Sequence, residues 1–576
     1  MTETVDVQET GGVEMTDSAP EQWDAIVVGA GLGGLTSAAY LAAAGRRVLL
    51  LEQHDIAGGN SHVFRRRRAY EFDVGVHYVG DCGEDGIVPA ILGGLGVRDR
   101  VRFLELDPDC FDKIELPGGV RVDVPADWAE YRARLRKALP EDAAGLDTFC
   151  DIIEAMGEEQ RNTLLAPAGV TVPEIIASTP TTQAWGRKSL TELFDHCELS
   201  PGARTVLAAQ SPNYGVGPDQ ATVSIHAIVT DHYIRGAYFP AGGGQMLAAT
   251  LVEVLEANGG ELRTRSLVSR IKVEDKKVRG VVLTDGTEYD APLVVSNADY
   301  RRTVLDLVGP DHLGKSIIRN TENAQMGLPF VTLYVALDRK LEDRNEANVW
   351  WYDTDDIDAY YRSLAAGEQP DEVKFLFISF GSLKDPTNPH TCPPGHSNFQ
   401  LMTLCPPTYA PWGVETGPAD GTRYRRLEAY QAEKERFTEA MLTSAERVLG
   451  PFRDSIVHCE LATPLTQERY TRSTGGTPFG LATWGRAGTK PDAGTSVEGL
   501  YMVGQSTRYG SGITGVMVGG IAAAAQILGR PLLNEVHNGA VVGDPSLLPA
   551  RGEDWDPVVV SRGQARRTAR GLARMG

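Results

Sequence analysis

The chain runs to 576 residues, 42% of them hydrophobic, with a formal net charge of −21 at neutral pH. At roughly 100–200 residues per domain, that length predicts two or three domains. The acidic balance argues against a nucleic-acid partner and against attraction of the protein body to anionic membranes. The seven cysteines (Cys82, Cys110, Cys150, Cys197, Cys392, Cys405 and Cys459) are odd in number, scattered and without a C-x-x-C pair. Neither a disulfide framework nor a zinc site is predicted, and a reducing cytosol suits them.

Residues 1–21 are polar and acidic, with neither the basic start nor the apolar stretch of a secretory signal, and read as a disordered lead-in. No uncharged apolar run reaches the roughly 18 residues that a membrane-spanning helix needs, so a cytoplasmic protein, soluble or peripheral at a membrane, is expected. The run Ala25–Val28 is the first predicted strand. Gly29, Gly31 and Gly34 then complete a G-x-G-x-x-G motif, an alanine-rich helix follows to Ala44, and Gly45 is placed to end it. "RVLLLE" is a buried strand ending at Glu52. Gly29 permits the turn, Gly31 lets backbone approach a pyrophosphate, and Gly34 lets helix pack on strand. The helix start at Leu32 offers free N–H groups to phosphate, and Glu52 can accept from ribose hydroxyls. This strand–turn–helix–strand unit predicts an α/β dinucleotide-binding domain. After Glu52, "QHDIAGGNSHVF" places Gly58 and Gly59 in a loop that resembles flavoproteins of the amine oxidase and carotenoid desaturase superfamily; that likeness implies FAD and not NAD.

Further on, "GGGQMLAATLVEVLEANGG" reads as an amphipathic helix, and residues 261–298 as a strand series with a hairpin at Asp285-Gly286. This block looks like the middle segment of a glutathione-reductase-type FAD domain, in which Val268 would approach the adenine. Near the C-terminus, "LYMVG" is a strand, residues 510–515 a glycine-rich turn, and the following apolar stretch a buried helix whose start would face a flavin and stabilise negative charge on it. Only one G-x-G-x-x-G sits between strand and helix, so no second, NAD(P)H-binding domain is predicted.

The segments "LEQHDIAGGNSHVF", "YEFDVGVHYVG", "PNYGVGPDQATVSIHAIVTDHYIRGAYFPAGGG", "VVSNADY", "SFGSLKDPTNP" and "LYMVGQSTRYGSGITG" resemble the phytoene desaturase and carotenoid isomerase family of FAD flavoproteins, and in particular its retinol saturase branch. The resemblance spans residues 24–530. It implies a discontinuous glutathione-reductase-type Rossmann FAD domain (22–90, 236–300 and 475–535) and an α+β, amine-oxidase-like substrate domain (91–235 and 301–474), with 1–21 as lead-in and 536–576 as C-terminal tail. It implies non-covalent FAD contacted by Gly29, Gly31, Leu32, Gly34, Glu52, Gly58, Gly59, Val268, Gly504, Gln505, Ile513, Thr514 and Gly515. Many relatives carry an acid where Gln505 stands. The activity implied is oxidoreduction at carbon–carbon double bonds of a hydrophobic polyene or isoprenoid lipid, with saturation favoured. Desaturation or cis–trans isomerisation of a carotenoid or unsaturated acyl lipid is the alternative, and a flavin amine oxidase or a non-catalytic lipid escort stand behind it. The electron donor or acceptor is not readable.

Saturating a C=C bond needs a hydride from reduced flavin and a proton from an acid or water. His77, after a strand the family places near the flavin, is the first catalytic candidate because histidine titrates near neutrality. His226 and His232, in "SIHAIVTDHYIRG", are expected on the substrate side. Tyr78, Tyr214 and Tyr233 read as tunnel-wall aromatics or donors, "NVWWYDT" as packing, and Cys82 as structural for want of a basic partner. Arg65–Arg68 read as a solvated hairpin turn, with a phosphate or membrane contact as the alternative. The basic end "SRGQARRTARGLARMG" is either a disordered tail or a peripheral membrane helix with Ala565, Ala569, Leu572 and Met575 on one face.

Overall fold

The computed structural model describes residues 22–167, 169–341, 344–368, 371–482 and 490–564. The expected lead-in and the helix or tail over 565–576 lie outside the described residues.

A five-stranded, all-parallel sheet forms around the opening motif. Its strands are β1 (Ala25–Val28), β2 (Val48–Glu52), β3 (Glu261–Thr264), β4 (Val294–Ser296) and β5 (Leu500–Met502), in the order β3-β2-β1-β4-β5. All four residues of the central β1 are buried, which is why it reads as a continuous apolar run without alternation. Helix α1 (Leu32–Ala43) follows β1 and is buried along nearly all its length. Its Gly/Ala/Ser composition suits that position, because it is covered on one side by the sheet and on the other by helix α6 (Ile513–Leu528). The α1–α6 crossing is a backbone contact. A Cβ added at Gly520 would stand 2.5 Å from the Gly33 carbonyl oxygen, and the Ser37 hydroxyl is shared between the carbonyls of Gly520 (2.9 Å) and Gly33 (3.1 Å).

The expected strand series forms a three-stranded antiparallel sheet, Val268–Glu274, Lys277–Leu283 and Glu288–Asp290. Its first hairpin turns at Asp275-Lys276, both left-handed (φ 49° and 59°), and its second carries Gly286 at φ 89°.

The other large sheet has seven strands in the order Ile456–Ala462, Phe330–Leu337, Ser397–Leu404, Phe375–Ser379, Asn348–Tyr352, Asp112–Glu115 and Arg121–Val124. Its one parallel pair sets Asn348 opposite Asp112. Helices α2 (Ala143–Leu164), α3 (Val172–Ala177), α4 (Pro180–Trp185) and α5 (Val223–Ile234) belong to the same part of the chain. Strand Ala237–Pro240 pairs with both Val79–Gly80 and Phe103–Glu105 and ties the parts together. We propose that the boundaries read from sequence divide the molecule into its cofactor and substrate domains.

Two surface readings change. Arg67 and Arg68 do form a hairpin turn (φ 53° and 55°). Arg65 instead pairs with Glu71 and Asp556, and Arg66 grips Glu460 through two bonds of 2.6 and 2.9 Å. Residues 536–564 are not a free tail. Arg551 lies over the Trp555 ring at 4.1 Å and binds Glu253, whose other oxygen accepts from Trp555 Nε1 at 2.7 Å, while Ser561 Oγ accepts from Gln245. These polar anchors, invisible in local composition, fasten the segment to the helix Gln245–Ala257.

The glycine crossing is testable. Gly520→Val should destabilise the protein by about 1–3 kcal/mol through overpacking, read as a lower denaturation midpoint. An unchanged midpoint would show that α1 and α6 can separate freely.

Candidate functional site

A cavity of about 1680 Å³ runs from the tip of the parallel sheet into the seven-stranded part. Ligand pockets commonly measure about 300–1,000 Å³, so this one has room for a dinucleotide and a second ligand together.

The nucleotide half is built from backbone. Glu52, at the end of β2, is buried, and its carboxylate accepts from the N–H groups of Ala30 and His54, both at 2.7 Å. Burial pushes its pKa up and these two donors oppose the shift. Each oxygen keeps lone pairs for ribose hydroxyls. Gly58 N–H donates to the Ala30 carbonyl at 2.8 Å. A Cβ on Gly59 would stand 3.0 Å from Gly31 Cα, so loop and motif meet backbone to backbone, and the φ of 132° at Gly58 requires glycine. The N-termini of α1 and α6 have Gly31 and Gly512 as caps with no side-chain cap hydrogen bond, which leaves N–H donors for a ligand. Thr514 Oγ1 is buried with no partner among the described residues. An acid able to take a ribose, two open helix N-termini and an orphaned hydroxyl fit FAD.

Of the residues expected at the cofactor, Gly29, Gly31, Leu32, Glu52, Gly58, Gly59, Val268, Gln505, Ile513, Thr514 and Gly515 line this cavity. Gly34 and Gly504 do not. A Cβ on Gly34 would meet the Gly29 carbonyl at 2.2 Å and Asn297 at 2.9 Å, and one on Gly504 would meet Asn297 Oδ1 at 2.9 Å. Both glycines make room for Asn297, a cavity-lining residue that the sequence reading missed although it lies in the quoted "VVSNADY". Lys490 was also missed. Its ammonium donates to the Gln505 carbonyl at 2.7 Å, and burial pushes its pKa down to about 8.

The other half is walled largely by aromatic and aliphatic side chains, among them Phe330, Trp350, Phe377, Phe479, Ile225 and Val229. Tyr78 and Tyr233 stack face to face at 4.1 Å. Trp350, from "NVWWYDT", both packs and lines the cavity. Its polar residues near one end are paired: Arg161 with Asp231, and Arg235 with Asp231 and Asp81.

The three candidate histidines separate. His77 lines the cavity with its ring edge-on to Phe377 at 5.6 Å. Burial, then the nearby Lys384 ammonium, pushes its pKa down to about 3. It is a neutral imidazole at physiological pH, and the expectation of titration near neutrality is corrected. His232 lines the cavity too, but its Nε2 accepts from the Gly80 N–H at 2.9 Å, which makes it a brace for that strand. His226 does not line the cavity. It is buried with one ring nitrogen on Tyr214 Oη (3.1 Å) and the other on Thr230 Oγ1 (3.3 Å). His62, unassigned from sequence, lines the nucleotide half and donates from Nδ1 to the Gly59 carbonyl at 2.6 Å. Cys82 is buried, its thiol directed to the Gly80 carbonyl and its pKa raised by burial.

Comparison with known proteins gives a consistent picture. The family model described as flavin containing amine oxidoreductase matches residues 32–528. All-trans-retinol 13,14-reductase of Rattus norvegicus is 29% identical over 550 residues, covering 90% of this chain and 88% of that protein. The human protein of the same name is 27% identical over 91% of this chain and 88% of its own length. Prolycopene isomerase 2 of an Oncidium hybrid is 25% identical over 88% of this chain and 84% of its own. Among solved structures, putrescine oxidase superposes with a TM-score of 0.57 at 16% identity, covering 89% of this chain and all of that one. An oxidoreductase from Methanosarcina mazei gives 0.56 at 19% identity, over 86% of this chain and 99% of that one. At these identities the structural likenesses speak for the fold.

The placement of His226 has a measurable consequence. Folded, its pKa is about 3 against 6.5 for the free residue, so the folded state binds fewer protons than the unfolded state between those values. Relative to His226→Phe, the wild type should lose about 1.4 kcal/mol of stability per pH unit as pH falls from 6.5 toward 3. Denaturant titrations at pH 7, 6 and 5 would measure this; a difference independent of pH would refute it.

Proposed function

The chain belongs to the flavin-containing amine oxidoreductase family, and from that premise of an FAD-dependent oxidoreductase we propose that it saturates a carbon–carbon double bond of a hydrophobic polyene or isoprenoid lipid. The observation that carries this reading is the aromatic and aliphatic cavity half, continuous with the FAD cradle. Support comes from relatives named for reduction of all-trans-retinol, which span nearly the whole chain. An amine substrate is less well served. The stacked Tyr78–Tyr233 rings touch and leave no slot between them, and Asp81 and Asp231 are committed to arginines.

In this reading reduced FAD supplies the hydride. The protein's own part is binding, orientation and exclusion of water. The α1 N-terminus and the Gly31–Gly59 contact would hold the phosphates, and Glu52 would hold a ribose. The α6 N-terminus, at Ile513–Gly515, would stabilise negative charge on a bound reduced flavin. The apolar wall lays the polyene alongside, where positioning accounts for most of the rate. His77 contributes as a neutral imidazole, a hydrogen-bond partner at the reacting end. Tyr78, His77 and Tyr233 all hold their protons tightly or lack an acidic one at neutral pH, so in this reading His77 would orient a single water as the proton source while the apolar wall keeps bulk water out. His77→Phe should keep its flavin and lose roughly 10²-fold in turnover.

Anaerobic reduction of the bound flavin followed by a candidate polyene tests the reaction itself. Reoxidation with a product two mass units heavier is expected. An unchanged mass with a shifted cis/trans ratio would establish isomerisation, the activity named for the prolycopene isomerase relatives, and a product two units lighter, formed only by oxidised flavin, desaturation.

We also propose peripheral contact with a lipid surface, at a different place from the basic C-terminal end. No helix among the described residues is long and apolar enough to cross a membrane. Helix α3, however, has no buried residue, with Val172 68% and Ile176 51% exposed. Its Ile175 lines the cavity, as does the half-exposed Ile228 of α5. An apolar rim on a cavity that takes an insoluble substrate suits a bilayer. Val172→Glu/Ile176→Glu should cut co-sedimentation with phosphatidylcholine vesicles at least several-fold while flavin content stays constant. Undiminished binding, or a dimer that the same changes dissociate, would refute it.

A further inference from the structure

Behind the cavity wall lies a buried ionic network that links three adjacent strands of the seven-stranded sheet. Lys384, only 4% exposed, follows the strand Phe375–Ser379. Its ammonium donates to three acceptors: the His77 carbonyl (2.5 Å), Asn348 Oδ1 (2.5 Å) and Ser379 Oγ (2.6 Å). The Asn348 amide in turn donates to Asp112 Oδ1 at 2.8 Å. Asp112, with no exposed surface, also accepts from Tyr78 Oη (3.0 Å), Gln210 Nε2 (2.6 Å) and Trp350 Nε1 (2.9 Å). A cation and an anion bridged by one amide thus hold two consecutive cavity residues, His77 by its backbone and Tyr78 by its hydroxyl.

We infer that Lys384 is a positioning residue, which through the His77 carbonyl and the Asn348–Asp112 bridge fixes the His77 imidazole at the reacting end of the cavity. The inference rests on the role proposed for His77. Lys384 does not itself line the cavity. Two charges removed from water add little to stability compared with apolar residues of the same shape, whereas deleting one leaves the other uncompensated. What the network supplies is geometry: the peptide after His77 is held by Lys384, and Tyr78 is held by Asp112. An ammonium has three N–H donors for its three acceptors, and a neutral amine only two. The charges that face Lys384 are Asp112, Asp73 and Glu346; they favour the ammonium, and burial outweighs them to push its pKa down to about 7. The ammonium's grip on the His77 carbonyl therefore weakens as pH rises through about 7, and below about 6, the value to which burial raises the Asp112 carboxyl, the anion at the other end of the bridge is protonated.

A double-mutant cycle between Lys384→Met and His77→Gln, scored by kcat, KM and flavin absorbance, tests this. Lys384→Met should lower kcat on the order of 10-fold or more, with KM and flavin content nearly unchanged. It should cost little further in the His77→Gln background, and Lys384→Arg should restore part of the loss. The wild type should lose kcat as pH rises past about 7, and Lys384→Met should lack that limb. If Lys384→Met does not fold, Lys384→Met/Asp112→Asn removes both charges and is read by the same cycle. Losses that multiply independently, or a Lys384→Met enzyme of normal kcat beside an impaired His77→Gln, overturn the positioning role alone. Normal turnover in His77→Gln overturns the role of His77 and this inference with it, while the mass of the product separately decides the reaction class.

Discussion

The cofactor half of the molecule depends on one steric constraint, the close approach of backbones around the Asn297 side chain. Gly31, Gly33, Gly34 and Gly504 all face that amide, and a Cβ on any of them would fall within 3.0 Å of one of its atoms. Asn297 is itself fixed to β1 through its N–H on the Val28 carbonyl at 2.8 Å. The turn after β1, the start of α1 and the turn after β5 are thus packed on one side chain delivered by β4. Segments far apart in sequence reach a common point because the parallel sheet brings their strand ends to the same edge, where ligands of open α/β sheets bind. The α1–α6 crossing extends the constraint, since α6 can aim its N-terminus at the cavity only while Gly520 lies against Gly33.

That arrangement explains why the glycine pattern and the cofactor contacts overlap without coinciding. Gly31 and Gly59 bring backbone to the ligand. One layer behind, Gly34 makes room for the Gly29 carbonyl and Asn297, and Gly504 for the Asn297 amide. From sequence the two kinds look alike, because both are glycines in turns that follow strands; only their placement relative to the cavity tells them apart.

The nucleotide half was legible because its signals are local: a strand, a turn, a helix and an acid in fixed succession. Part of the substrate half was legible as well. Within helix α5, Ile225, Ile228, Val229 and His232 face the cavity, while Val223, His226, Ala227 and Thr230 are buried. Helical spacing groups Ile225, Ile228, Val229 and His232, but it also sets His226 two turns from the cavity-lining Tyr233 on the same face, so the burial of His226 away from the cavity was not legible from spacing. The Lys384–Asn348–Asp112 bridge was not legible. Its members lie on three strands or their ends, and a parallel pairing that no local pattern announces sets Asn348 opposite Asp112. The fastening of residues 536–564 escaped for a related reason, since Arg551, Trp555 and Ser561 find their partners some 300 residues away in sequence.

A cavity able to hold a polyene must be largely dry, and dryness restricts the chemistry its walls can offer. Burial pushes His62 and His232 to about 4 and His77 to about 3, and drives Tyr78 well above the usual phenol range. Many ionised groups stand in compensated sets, Arg161–Asp231–Arg235–Asp81 at one end and Lys384–Asp112 behind the wall, while Glu52 and Lys490 are held instead by backbone N–H and carbonyl groups. Charge developing on a bound flavin would then be met by dipoles, which carry no net charge, together with the Lys490 ammonium that lines the cavity. Other helices of this chain are capped by Asp127, Ser189, Ser200 or Thr222, each accepting from a first-turn N–H. The helices α1 and α6 have glycine in that position, as do the helices that start at Ile87, Gln245 and Lys315. A serine or aspartate there would satisfy the donors internally and, if acidic, would repel phosphate. Leaving those N–H groups unspent lets a strongly acidic protein offer partial positive charge at the points where an anionic cofactor needs it.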